Sequence, residues 1–81
     1  MKEQDLVELG FERIDVSAEE SGDEAFYYYT YDFTKDFSMI SSDNDQAEEE
    51  GWFVEIFDYS GIRFFQKEDL KVLIDLINKN K

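Results

Sequence analysis

The chain has no cysteine, no histidine and no proline, and only four of its 81 residues are glycine. Without cysteine there is no disulfide and no thiolate metal site, a composition that fits a reducing compartment. Without histidine, zinc loses its commonest donor, and the Ser-His-Asp triad, the Cys-His pair and imidazole general bases are excluded together. Paired carboxylates remain, but a chain this short walls no substantial substrate cleft of the glycosidase kind. Asp43-Asn44-Asp45 opens like a calcium loop, which requires an oxygen ligand at position 5, Gly at 6 and Glu at 12. Those positions hold Ala47, Glu48 and Val54, so the pattern fails at all three. The expectation is a protein that is not an enzyme and carries no cofactor or metal.

Positive charge is scarce as well. Eight Lys/Arg stand against 21 Asp/Glu, a formal net charge of −13 at pH 7. Proteins that grip phosphates need clustered Lys/Arg, so direct nucleic-acid binding is not expected. No apolar run approaches the length of a membrane span, and residues 1–5 lack the apolar core of a secretory signal. These features predict a cytoplasmic protein with no membrane contact, folded as a single domain over 1–81.

Aromatics are plentiful: eight Phe, five Tyr and one Trp. Together with Leu, Ile and Val they give the chain enough apolar surface to offset its conformational entropy despite the charge. Residues 3–10 read as a short helix, with Leu6 and Leu9 at i, i+3 and Gly10 as a stop. Residues 11–16 alternate as a half-buried strand does. The strongest strand signal is 25–34, rich in Tyr, Phe and Thr, with 34–36 as a hairpin connection into 37–41. Gly51 opens a strand over 52–57, and 58–61 forms a turn into a last strand over 62–65. Residues 67–78 are an amphipathic helix, with Leu70, Leu73, Ile74 and Ile77 on one face. The predicted fold is α+β: an antiparallel meander of four or five strands, a short N-terminal helix, and a C-terminal amphipathic helix packed on the sheet.

The 25–34 strand is aromatic on both faces. Tyr27, Tyr29, Tyr31 and Phe33 share one, and Phe26, Tyr28, Thr30 and Asp32 share the other. One amphipathic helix covers one face, so the remaining face is left for the N-terminal helix, a second copy or a partner. Tyr and Trp are enriched at interface hot spots, which makes Tyr27, Tyr29, Tyr31 and Trp52 candidate anchors, and makes the aromatic face a candidate homodimer surface.

Charge is unevenly placed. Residues 1–51 hold 16 Asp/Glu against three Lys/Arg, and residues 52–81 hold five of each. Two acidic segments read as loops, 17–24 with Glu19, Glu20, Asp23 and Glu24, and 43–50 with Asp43, Asp45, Glu48, Glu49 and Glu50. They flank the aromatic strand. Solvation explains the amount of charge but not its position; a field of one sign attracts a basic partner and orients it. Carboxylates at i, i+2 on a strand fall roughly 6.5–7 Å apart, about twice the 3.4 Å rise per phosphate of one DNA strand. That spacing admits mimicry of nucleic acid.

The stretches Leu9-Gly10-Phe11-Glu12-Arg13-Ile14-Asp15-Val16, Glu20-Ser21-Gly22-Asp23, Tyr27-Tyr28-Tyr29 and Gly51-Trp52-Phe53-Val54-Glu55-Ile56-Phe57 resemble small acidic proteins of bacteriophages and prophages. The resemblance implies a non-enzymatic inhibitor of a basic, nucleic-acid-handling host protein such as a CRISPR effector nuclease. It carries over no functional residue. The alternative is a general protein-interaction module, such as an adaptor, an antitoxin-like subunit or a self-associating subunit.

Overall fold

Tyr, Phe and Thr crowd the segment that becomes the longest strand, and the other elements are arranged around it. A computed structural model describes residues 1–57 and 59–81, Ser60 by its backbone alone. In chain order the elements are α1 (Glu3–Glu8), β1 (Glu12–Val16), α2 (Ala18–Ser21), β2 (Phe26–Thr34), β3 (Phe37–Ser41), α3 (Asn44–Glu50), β4 (Val54–Ile56), β5 (Tyr59–Phe64) and α4 (Lys67–Asn80). The five strands form one antiparallel sheet in the order β1-β2-β3-β4-β5. This is the expected α+β meander with a helix near each end of the chain.

Period-two alternation decides which residues meet the helices. Tyr29 of β2 lies opposite Arg13 of β1, Tyr31 lies opposite Met39 of β3, and Met39 lies opposite Ile56 of β4. On this face Tyr29, Phe33, Met39 and Val54 join Leu6 of α1 and Leu70 and Ile74 of α4 in one buried cluster. The Lys67 ammonium ties the two helices together, at 2.6 Å from a Glu8 carboxylate oxygen. Gly10 turns the chain from α1 into β1 at φ +98°, a left-handed conformation natural to glycine. The opposite face carries the pairs Ile14–Tyr28 and Val16–Phe26 and the row Thr30, Ile40, Glu55, Arg63. The buried side chains of α1 and α4 among the described residues, Leu6, Leu70 and Ile74, all belong to the first face's cluster.

Three local expectations need correction. The 43–50 segment is the seven-residue helix α3, not a loop. Its start is capped by Asp43, whose carboxylate accepts the Gln46 N–H at 2.8 Å while the Gln46 side chain accepts the Asp43 N–H at 3.2 Å. This reciprocal capping satisfies two amide donors, and the helix formers Gln, Ala and Glu do the rest. The 17–24 segment likewise contains the single-turn helix α2, capped by the Ser17 hydroxyl. The last strand starts at Tyr59 rather than Ile62, and its register slips against β4 between Glu55 and Ile56. The turn expected over 58–61 therefore falls partly within β5, and its first residue, Asp58, lies outside the described residues.

Candidate functional site

In a meander, alternate strand ends meet at one edge of the sheet. The end of β1, the start of β2, the end of β3 and the start of β4 come together, and α2 and α3 sit there. The two acidic segments are thus brought to one pole of the molecule. Glu19, Glu20, Asp23, Glu24, Asp45, Glu48, Glu49 and Glu50 are all exposed. Among the described residues, only Glu50 of these is in an ion pair, 3.7 Å from the Arg63 guanidinium. Asp43 is half-buried and occupied as a cap. These carboxylates stand on short helices and connections, so the strand spacing of 6.5–7 Å does not apply to them.

Ser41 and Asn44 build the junction between this pole and the sheet. Backbone pairing of β2 with β3 stops at Thr30 and Ile40. Beyond it the Tyr29 N–H donates to the Ser41 hydroxyl oxygen at 2.8 Å, and the Tyr27 N–H donates to the Asn44 side-chain carbonyl at 2.9 Å. Side-chain acceptors thus replace a missing strand partner, which lets β3 leave the sheet and begin α3. Two clefts open on either side of this junction. One, of about 410 Å³, is lined by Arg13, Asp15, Val16, Ser17, Glu20, Ala25, Phe26, Tyr27 and Asn44. The other, of about 250 Å³, is lined by Glu3, Tyr27, Asn44, Ala47, Glu48 and Trp52. Tyr27 and Asn44 belong to both.

The candidate aromatic anchors divide. Tyr29 is 4% exposed and belongs to the core. Its hydroxyl donates to Glu3 at 2.6 Å. Burial, then that hydrogen bond and the Glu3 charge, push the phenol up to about 12. Tyr27, Tyr31 and Trp52 are half-buried around the same cluster. Tyr27 is likewise raised, first by burial and then by the charge and hydrogen bond of Glu3. Trp52 packs edge-on to Tyr29 at 5.8 Å between ring centroids. Tyr31 lies 5.4 Å from Phe11, its hydroxyl accepting from Asn78 of α4. The face that carries them is the helix-covered one; the opposite face of β2 carries the half-buried Phe26 and Tyr28.

Sequence reasoning missed Arg13, Asp15, Asn44 and Glu3. The Arg13 guanidinium lies 3.7 Å from the centre of the Tyr27 ring and 2.9 Å from an Asp15 carboxylate oxygen. The hydrogen bond to Asp15 holds Arg13 above the usual guanidinium range. An Arg and an Asp at i, i+2 on a strand share a face, which was the available signal. Nothing in the sequence marked Glu3 or Asn44. Among the described residues no group of three carboxylates converges to hold a metal ion, and no helix is long and apolar enough to cross a membrane. No protein-family model matches the chain, and neither a curated protein nor a solved structure matches it.

Proposed function

We propose that this chain is a non-enzymatic, protein-binding inhibitor whose acidic pole docks on the basic surface of a nucleic-acid-handling protein in the host cytoplasm, a CRISPR effector nuclease being one such target. The observation that carries this reading is charge placed against the stability of the fold. Glu48, Glu49 and Glu50 occupy the last turn of α3, at the negative end of its dipole; that turn contains no basic residue, and among the described residues only Glu50 has an ion-pair partner, Arg63 of β5. Each such carboxylate costs roughly 0.3–1 kcal/mol at low ionic strength, where a lysine would be favourable. Asp45, at i, i+3 from Glu48 and i, i+4 from Glu49, adds like-charge repulsion along the helix. Solubility would be served as well by carboxylates at the helix start. Charge gathered where the fold resists it serves an external field, one that speeds encounter with a basic surface and orients it.

A second reading, the general interaction module, is favoured by Val72 and Leu76 of α4, which are 67% and 53% exposed one turn apart. Salt separates the two. Binding of the chain to a purified basic effector, titrated from low to high ionic strength and in competition with that effector's nucleic acid, tests the proposal. Affinity that falls steeply with salt and is lost to the competitor supports the inhibitor. Affinity indifferent to both sinks it and favours an apolar contact.

A further inference from the structure

Tyr27 is the wall between the two clefts, and the larger cleft has the chemistry of a guanidinium site. We propose that it receives an arginine side chain presented by the basic partner, an inference that rests on the reading of the acidic pole above. The chain's own Arg13 shows what the site accepts. Its guanidinium stacks over the Tyr27 ring at 3.7 Å, and both Nε and Nη2 reach the same Asp15 oxygen, Oδ1, at 3.0 and 2.9 Å. Asp15 therefore keeps Oδ2 open among the described residues. Glu20, which also lines the cleft, accepts the Ser17 hydroxyl on Oε1 at 3.3 Å and keeps Oε2 open among the described residues. Phe26, Val16 and Ala25 supply apolar walls. The cleft's two carboxylates outnumber its one cation, Arg13, and with the aromatic and aliphatic lining they are complementary to a planar cation.

The size agrees. A cleft of about 410 Å³ is at the small end of ligand pockets, which run from roughly 300 to 1,000 Å³, and suits one long side chain with its adjoining backbone. Arginine fits better than lysine, because a guanidinium stacks on aromatic faces and forks two hydrogen bonds at once, whereas an ammonium is a hydrated point charge. In the free protein Arg13 competes for the same ring and the same carboxylate. It acts as an internal placeholder that an incoming arginine meets beside it or displaces.

The test is an NMR titration of the isotope-labelled full chain with N-acetyl-arginine amide, and with N-acetyl-lysine amide as comparison. Saturable shifts are expected at Asp15, Glu20, Ala25 and Tyr27, with the arginine probe about fivefold tighter than the lysine probe. Glu20→Gln should weaken the arginine probe by about threefold, and Arg13→Ala should tighten it by about fivefold. Shifts that never saturate and spread over all the carboxylates of α2 and α3 would overturn the site, as would affinities unchanged in both variants. Both residues are exposed, so the variants are expected to fold. A probe that fills the cleft when no basic protein binds the pole leaves the site standing and removes the inhibitor reading. A basic protein that binds while the probe does not removes the cleft alone.

Discussion

The Tyr29 hydroxyl donates to a Glu3 carboxylate oxygen at 2.6 Å, joining the centre of β2 to the first residue of α1 across 26 positions of sequence. Tyr27 donates to the other oxygen of the same carboxylate at 3.3 Å. A six-residue helix has little stability of its own, so this clamp and the burial of Leu6 fix where α1 lies. Tyr29→Phe keeps the ring and removes the donor, and should cost about 1–2 kcal/mol in urea unfolding with an unchanged slope.

High pH should break the same clamp. The folded-state value of Tyr29 is raised from 10.0 to about 12, so its contribution is complete below the unfolded value. As the pH climbs through this window the unfolded chain releases the phenolic proton first, and the contribution is lost. Stability should decline between pH 10 and about 12. Urea titrations across that range check the loss. Tyr29→Phe should flatten its slope, and an unaltered decline in that variant would point elsewhere.

Asn44 is the acceptor that lets β3 turn into α3. Asn44→Ala leaves the half-buried Tyr27 N–H without its partner, at a cost of about 1–3 kcal/mol. Hydrogen exchange should show the damage locally, with the Tyr27 amide and α3 losing protection while α4 keeps it. Uniform loss over the whole sheet would show instead that the junction is part of the global cooperative unit.

Glu49 should trade stability against binding. Glu49→Lys places a cation at the negative end of α3 and should stabilise the protein by about 0.3–1 kcal/mol at low salt. The same change should slow association with the basic partner. Glu50 is a weaker probe, because Arg63 already draws its charge inward at 3.7 Å. Thermal melts and stopped-flow association on one preparation test both halves, and a variant that is more stable yet associates as fast as before would strip α3 of its steering role.

The elements with a strong hydrophobic period were the legible ones. Leu70 and Ile74 placed α4 by their helical period, and the crowding of Tyr, Phe and Thr placed β2. For β2 that composition could not say which face turns inward, since both faces are aromatic. The choice depends on Phe33 and on the register that sets Tyr31 against Met39, a relation between strands that local pattern does not contain. Helix α3 escaped for the opposite reason. Of its residues only Asn44 and Ala47 turn even partly inward, so it has no apolar stripe, and its capping signal, Asp43 followed by Gln46, was overshadowed by the acidity around it. The acidic pole was legible as two charged segments flanking a strand; the clefts between them, made by Arg13, Asp15 and Asn44, follow only from the tertiary arrangement.

The strand order has a kinetic consequence. Every strand pairs with its neighbour in sequence, so each pairing closes a short loop at little entropic cost. The longest-range contacts are those of the two terminal helices, with the sheet and with each other, the latter recorded in the shared burial of Leu6 and Leu70 and in the Lys67–Glu8 pair. With no proline, prolyl isomerisation contributes no slow step. Refolding should therefore run as one fast phase in which hairpins zip first and the helices close over them last. Leu70→Ala would then accelerate unfolding far more than it slows folding, so how long each native molecule survives is set by the two helices.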